Sequence, residues 1–597
     1  MGEPAKSRFQ LPQILPKMLP MNERKTTASR CPRVVLMTLC SVSLLWLAQP
    51  PFGLWGLGFL ALIPLIHLIS TPQAFQKRHY LGIWAVSAVY WLLSFQGLRH
   101  AHPAMVFPWL AFGSYLAVYQ VLFVSVSRYL HHRGIGLIVI IPLVWVAQEF
   151  IRNYFLTGIS ALMLGHLLAD VPPLIQIADL FGTYGISCVV ALTNVCLWQI
   201  LQASCKRTGW KPAVPAMVVT IATFAGVVGY GYYRINQPLG QPLATFALIQ
   251  RSEPVDYQQT YERQVEIFQN YAKSSIELAR SATQSIDAYV WPESMYSAAN
   301  PLILSSPNAI VPPQTRMTVE QFQQSIRQQQ LAFTERAGYV QNALRREQPN
   351  AVTTPELIVG CGVVRYGNFP EIYSGVINLN GDHSVEEWYG KTHLVMFGEY
   401  IPLAPSIPGL RSLVPPGMGL QQGDGGKLMR VGETKVAPNI CIETAVERVT
   451  VNQMNQFLEQ GELPDVIVTV TNDGWFDLSS VIDHHLRCAQ LVSVACRRPI
   501  LSSANNGPTA WIDSRGQIVQ RVPTGQTGSV IATPAQDKRI SLMVRIGDWP
   551  AGSTVLICLV LMLWVRRRKP LEFDAVSEHA SELQPETRNS SGKSAER

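Results

Sequence analysis

Three residues in this chain have the types and settings that acyl-transfer chemistry needs. Cys441 ends the apolar run of VAPNICIETAVE (436–447), with Glu443 two residues on. Glu293 ends the strand-like run AYVWPES (288–294), and Lys391 lies in WYGKTHLVMFGEYIP (388–402). A cysteine attacks as its thiolate, so a neighbouring group must accept the thiol proton. A partly buried carboxylate such as Glu293 has the raised proton affinity that suits this task. An ammonium such as Lys391 can stabilise the oxyanion of a tetrahedral intermediate, alongside the backbone N–H groups after the nucleophile. Each residue also has a plainer reading. A cysteine in an apolar run is most often core, a glutamate after Trp-Pro can cap a helix, and a lysine before Thr-His can be solvated surface. It is the three motif contexts together that are specific.

The elements that must position these residues are legible around them. TFALIQ (245–250), AYVWPE (288–293), ELIVGCGVV (356–364), YSGVINLN (373–380), VAPNICIE (436–443), DVIVTVTN (465–472), PILSSAN (499–505) and TAWIDS (509–514) read as buried strands. Helix-like stretches at 257–284, 318–346, 444–460 and 482–497 alternate with them. Such alternation predicts a layered α/β domain over 240–548. The stretch 297–355 is long, polar and Gln-rich. It is expected to form a surface excursion or a lid over the site.

The rest of the chain is too apolar for a purely soluble protein, with 48% hydrophobic and 15% charged residues. Apolar residues concentrate at 34–235 and 551–565. Candidate membrane spans are 34–49, 52–70, 80–98, 104–127, 134–151, 174–201, 212–233 and 549–565. The first two meet at Gln49-Pro50-Pro51, where a hairpin is the alternative. Lys17, Arg24, Lys25, Arg30 and Arg33 precede the first span, and Lys77, Arg78, Arg128, Arg133, Lys206, Arg207, Lys211 and Arg566–Lys569 mark every second connection. By the positive-inside rule both termini are cytoplasmic and 240–548 lies on the opposite side. The chain then divides into a cytoplasmic extension (1–33), a transmembrane domain of about seven spans (34–235), the α/β domain (240–548), a C-terminal transmembrane helix (549–569) and a disordered cytoplasmic tail (570–597). The net charge of +8 is largely topological and calls for no nucleic-acid partner. Glu149 and Arg152, three apart in the fifth span, are expected to form an ion pair on one helix face. The ten cysteines include no CxxC pair, so neither a disulfide framework nor a zinc site is expected.

The segments WPES (291–294), YGKTHLVMFGEYIPL (389–403), NICIE (439–443), TNDGWF (471–476), H-x-x-CA (485–489), RRPILSSANNGPTAWID (497–513) and GDWP (547–550) resemble the carbon–nitrogen hydrolase (nitrilase) superfamily. With WVAQEFIRNYFLTG (145–158), the chain from about 34 to 569 resembles the bacterial apolipoprotein N-acyltransferases. The resemblance implies a multi-span α-helical membrane domain carrying an extracytoplasmic αββα sandwich. It implies Glu293 as general base, Lys391 as oxyanion stabiliser and Cys441 as nucleophile, supported by Glu399, Glu443 and Trp475. It further implies a membrane phospholipid as acyl donor and a diacylated apolipoprotein as acceptor, with no metal or organic cofactor. The setting would be a bacterial inner membrane, with the catalytic domain periplasmic. The chain departs from the family pattern at Ile442, where an aromatic is usual, and at Met396, where proline is usual. It also departs at Arg251-Ser252, where Gly-Asn is usual, and at Ile159-Ser160-Ala161, where Phe-Pro-Trp is usual. Two other functions remain compatible with the residues. One is a membrane-tethered nitrilase-type amidase acting on a small amide. The other is a non-catalytic receptor or transporter with a degenerate nitrilase-like domain.

Reporter fusions test the predicted topology. Fusions after residues 78, 209 and 569 should read cytoplasmic, and one near residue 300 should not; a cytoplasmic readout near 300 overturns it.

Overall fold

The apolar stretches fold into the helices Cys31–Ala48, Lys77–Ser94, Val106–His131, Leu137–Tyr154, Ala178–Ser204, Ala213–Ile235 and Trp549–Val565 in the computed structural model. It describes residues 31–568 apart from 206–208, 212, 257–258, 299, 307–308, 350 and 402–418. The cytoplasmic tail and nearly all of the N-terminal extension expected from the sequence lie outside the described residues. Among the described residues, five helices suffice by length and composition to cross a membrane, those beginning at Cys31, Pro103, Leu137, Ala178 and Ala213, while Trp55–Ser70 and Trp549–Val565 are shorter apolar helical segments.

The segment 52–70 is not one continuous helix. It is a 3-10 turn, Trp55–Phe59, followed by the helix Ile63–Ser70, both packed on Cys31–Ala48. Pro50, Pro51, Gly53, Gly56, Gly58 and Pro64 oppose a regular helix here. The broken backbone needs other partners in an apolar setting. Asn194 provides them: its Oδ1 accepts from Leu62 N–H and its Nδ2 donates to the Gly58 carbonyl, both at 2.9 Å. The expected Glu149–Arg152 pair is also replaced by other contacts. Glu149 accepts from Trp145 Nε1 at 2.8 Å and from Leu164 N–H at 2.7 Å, while Arg152 lies against the Trp91 ring.

The α/β domain is a sandwich of two sheets. The first contains β1 (Phe246–Gln250), β2 (Ala288–Trp291), β3 (Leu302–Ser305), β4 (Glu356–Tyr366), β5 (Pro370–Leu379), β6 (Val385–Gly390) and β13 (Gly528–Ala532). Their order is β13-β1-β2-β4-β5-β6, with β3 beside the far end of β4. The second contains β7 (Met429–Val431), β8 (Thr434–Ile440), β9 (Val466–Asn472), β10 (Ile500–Asn505), β11 (Ala510–Ile512) and β12 (Ile518–Arg521), in the order β12-β11-β10-β9-β8-β7. The central strands β1, β2, β8, β9 and β10 read as nearly unbroken apolar runs because both of their faces are covered. Phe246, Leu248, Val290 and Ile358 meet Val436, Ile440, Val468 and Leu501 between the sheets.

The helices Tyr261–Ser281 and Val319–Glu347 cover the first sheet. This corrects the expectation of a lid. Phe333, Ala337, Val340 and Leu344 of the second helix are buried in the same core as Tyr289, Trp291 and Val359. The helix itself was expected at 318–346, but its polar, Gln-rich exposed face concealed its place in the layer. The second sheet is covered by Glu447–Glu459 and Ser480–Cys496, and that layer packs directly on the membrane helices. Arg497, fully buried, reaches into the bundle. Its guanidinium binds Asp179 Oδ2 at 2.6 Å and Gln176 Oε1 at 2.7 Å, and Arg234 holds the same Asp179 oxygen at 2.5 Å.

Phe333→Ala distinguishes a core helix from a lid. It should destabilise the outer domain by about 3 kcal/mol or more, read as a lowered thermal transition. An unchanged transition would return the helix to the role of a surface excursion.

Candidate active site

The parallel strands β2, β4, β8, β9 and β10 bring the ends of their chains to one edge of the sandwich. Glu293 leaves β2 through Pro292 and packs its backbone on β4. A Cβ at Gly360 would stand 2.4 Å from Glu293 Cα, so only glycine permits this approach. Lys391 follows β6, and Cys441 follows β8.

The structure joins Glu293, Lys391 and Glu399 directly. Lys391, 1% exposed, places Nζ 2.5 Å from Glu399 Oε1 and 3.5 Å from Glu293 Oε1. Glu293 Oε1 also accepts from Ser374 Oγ on β5 at 3.0 Å. Glu399 Oε2 accepts from Val395 N–H at 2.8 Å. The backbone of Lys391 is pinned as well: its N–H donates to the Ser374 carbonyl at 2.9 Å, and its carbonyl accepts from Gly423 at 2.8 Å.

Cys441 is half-buried, with φ of 50° and ψ of −114°. A non-glycine residue at positive φ is strained, and such strain concentrates at functional turns. Here it marks the sharp passage from β8 into the short helix Ile442–Ala445. The turn is held on several sides. Cys441 N–H donates to the Val470 carbonyl at 2.9 Å, and Ile440 N–H donates to Glu443 Oε2 at 2.7 Å. The Cys441 carbonyl accepts from His485 Nε2 at 2.9 Å and from Thr444 N–H at 3.2 Å.

Glu443 lies beneath these residues, fully buried. Its Oε1 accepts from Tyr389 OH at 2.8 Å, Thr392 N–H at 2.6 Å, Thr392 Oγ1 at 2.7 Å and His393 N–H at 3.1 Å. One carboxylate therefore ties the lysine segment to the cysteine turn. Trp475 sits half-buried in the 3-10 turn Asp473–Phe476. Among the described residues no His, Cys, Asp and Glu group forms a metal-binding cluster.

The electrostatics follow from burial and charge. Burial pushes the Cys441 thiol up to about 12, against the pull of the Lys391 ammonium, and Glu293 and Asp473 push it further. At rest it is a protonated thiol. Burial also raises Glu293; Lys391 opposes that rise, and Glu399 adds to it. Burial alone would lower Lys391, but Glu293, Glu399 and Cys441 more than offset this and hold its ammonium well above the ordinary range. The arrangement is a thiol, a proton acceptor of raised affinity and a fixed cation sharing one field.

Ser374 carried no signal in the sequence; a serine within a strand has no distinguishing neighbour. His485 and Asp473 did lie in quoted motifs, but their joint grip on the Cys441 turn depends on the packing of Ser480–Cys496 against β8 and β9.

Comparison with known proteins adds a family to this geometry. The carbon-nitrogen hydrolase family model matches residues 250–540, and the model of the apolipoprotein N-acyltransferase N-terminal domain matches residues 41–196. The fold and site thus define a nitrilase-like α/β domain mounted on a membrane helix bundle. An apolipoprotein N-acyltransferase of Rhodopirellula baltica is 43% identical over 559 residues, covering 88% of this chain and 97% of the relative. The one from Geobacter metallireducens is 26% identical over 90% of this chain and 96% of its own. The chain belongs to the apolipoprotein N-acyltransferase family. Among solved structures, an amidase from Nesterenkonia sp. aligns over 53% of this chain and 99% of its own, at 11% identity and a TM-score of 0.31.

The pull of Lys391 on the thiol has a measurable sign. Alkylation of Cys441 by iodoacetamide should rise steadily with pH through the neutral range, because the thiolate fraction grows tenfold per unit below a pKa of about 12. Lys391→Met removes the cation that lowers this pKa, so alkylation at any fixed pH should slow. Faster alkylation of the variant would contradict the electrostatic assignment.

Proposed function

We propose that the chain N-acylates the N-terminal diacylglyceryl-cysteine of lipoproteins, using a membrane phospholipid as acyl donor and a Cys441 thioester as intermediate. The observation that carries this reading is the buried Lys391 ammonium held between Glu293 and Glu399 beside a strained, half-buried Cys441. Family membership supplies the lipoprotein acceptor.

Because the resting thiol is protonated, attack is concerted with proton transfer. Glu293 takes the thiol proton as Sγ bonds to the ester carbonyl carbon. The electron pair displaced onto the carbonyl oxygen is stabilised by Lys391 and by backbone N–H groups at the start of Ile442–Ala445, which have no intrahelical acceptor. Collapse breaks the ester C–O bond, and the lysophospholipid leaves with the proton from Glu293. The α-amine of the acceptor then attacks the thioester. Glu293 takes one amine proton, the amide forms, and the thiolate leaves and is reprotonated. Glu399 fixes Lys391, and Glu443 keeps the lysine and cysteine segments in register.

The α/β domain works on the extracytoplasmic side of a bacterial inner membrane, with both termini in the cytoplasm. This sidedness is supported by the gathering of basic ends. Arg33 lies 3.0 Å from His67, and Arg128 donates to the Gln73 carbonyl at 2.7 Å. The sandwich instead engages Asp179 through Arg497 and the Arg234 carbonyl through Arg539, at the start of one long helix and the end of the next.

Mass spectrometry of the purified chain incubated with phospholipid tests the proposal. A fatty-acyl adduct should appear on Cys441 and vanish in Cys441→Ser. Cys361→Ser should retain it, because that thiol is buried within β4 and donates to the Gly362 carbonyl at 3.3 Å. Labelling that survives loss of Cys441 and disappears with Cys361 would reverse the assignment of the nucleophile.

A further inference from the structure

The contacts of His485 reach the reacting residue without touching its thiol. Its Nε2 lies 2.9 Å from the Cys441 carbonyl oxygen and its Nδ1 3.4 Å from Asp473 Oδ1. A carbonyl has no hydrogen to give, so Nε2 is the donor in the first contact. A carboxylate on the other nitrogen is satisfied when Nδ1 also carries hydrogen. The ring that meets both partners is the imidazolium. Burial works against that charge, but the hydrogen bond and charge of Asp473, with the Cys441 carbonyl, more than offset it and raise His485 above its ordinary value despite Lys391 nearby. Asp473 is itself buried and oriented by Thr471 Oγ1 at 3.1 Å.

The peptide between Cys441 and Ile442 is planar, and in a trans peptide the C=O and N–H point in opposite directions. Fixing the carbonyl therefore fixes the Ile442 N–H. That N–H belongs to the residue directly after the nucleophile and stands at the first position of a helix, where no intrahelical carbonyl can take it. The strained φ of 50° at Cys441 leaves this peptide free to relax by rotation unless something holds it.

We propose that His485 is a positioning residue for acyl transfer: by gripping the Cys441 carbonyl it aims the Ile442 N–H at the oxyanion that forms when Cys441 attacks an ester. This rests on the acyl-transfer reading and deepens it. The role acts on the oxyanion only. Alkylation of the thiol by iodoacetamide displaces iodide at carbon and forms no oxyanion, so it should be indifferent to His485.

That difference supplies the test. In the full-length chain, His485→Ala should slow formation of the Cys441 acyl adduct by about 100-fold at saturating phospholipid, the scale of losing one oxyanion donor. Its KM for phospholipid and its rate of alkylation by iodoacetamide should stay unchanged. His485→Gln, whose side-chain amide reaches as far as Nε2, should restore most of the rate. His485→Asn, which is shorter and retains only the Asp473 side, should not. Where the alanine variant fails to fold, the Gln and Asn pair decides on the same criterion. Unchanged acylation in His485→Ala, alkylation that falls in step with acylation, or equal rescue by Asn and Gln would each overturn the role. An adduct on native Cys441 with any of these outcomes defeats the His485 assignment alone. Absence of an adduct in the native chain defeats the acyl-transfer reading and this assignment with it.

Discussion

An ammonium with 1% of its surface exposed must be matched by fixed negative charge, since an unpaired buried ion costs several kcal/mol. Much of the architecture around Lys391 answers that requirement. Glu399 meets it at 2.5 Å and Glu293 at 3.5 Å, and each carboxylate is in turn held, by Val395 N–H and by Ser374. Gly360 clears the space into which Glu293 packs, and Gly423 lets a second segment lie against the Lys391 carbonyl. Two carboxylates around one cation leave surplus negative charge. The raised proton affinity of Glu293 comes first from burial, with Lys391 opposing it and Glu399 adding to it, and a raised affinity is the property a base beside a thiol requires. The burial that makes the lysine need its carboxylates thereby also prepares the glutamate.

The cysteine turn has the opposite character. A non-glycine residue in this region of φ and ψ costs on the order of 1–3 kcal/mol. Four hydrogen bonds involving the backbone of residues 440 and 441 oppose that strain, each contributing roughly 0.5–1.5 kcal/mol. They come from β9, from the helix that follows, from Glu443 and from His485. The thiol is held at the end of β8 by a network that grips the backbone on both sides of it.

Much of this was legible in the chain. The apolar runs around β1, β2, β8, β9 and β10 announced strands covered on both faces, and Glu293 and Cys441 stood at the ends of such runs, whereas Lys391 follows β6, whose VEEWYG is too polar to have been read as a strand. What was not legible depended on partners distant in sequence. The stretch 297–355 read as an excursion or a lid because it is long, polar and Gln-rich; only the first sheet supplies the surface that buries Phe333, Ala337, Val340 and Leu344. The stretch 52–70 read as one span, and the stability of its broken backbone depends on Asn194, 132 residues from Leu62. Ser374 and Glu443 act through geometry that no local spacing encodes. Glu443 was singled out beside the cysteine, yet most of its hydrogen bonds go to the lysine segment.

The hydrophobic interior does not end where the membrane helices end. Leu167, Ile175 and Ala178 share one continuous core with Leu491, Val494 and Ile500, and Arg497 is sunk beside it into Asp179. Such a joint has no hinge. The catalytic edge is carried at a set position relative to the helix bundle, like a tool clamped in a vice. Reactants that are themselves anchored in lipid then meet the thiol by sliding in a plane, a two-dimensional search in which their local concentration is that of the membrane. Cutting the sandwich free would bare the apolar residues through which its helix layer packs on the bundle. Detachment would thus forfeit solubility along with encounter.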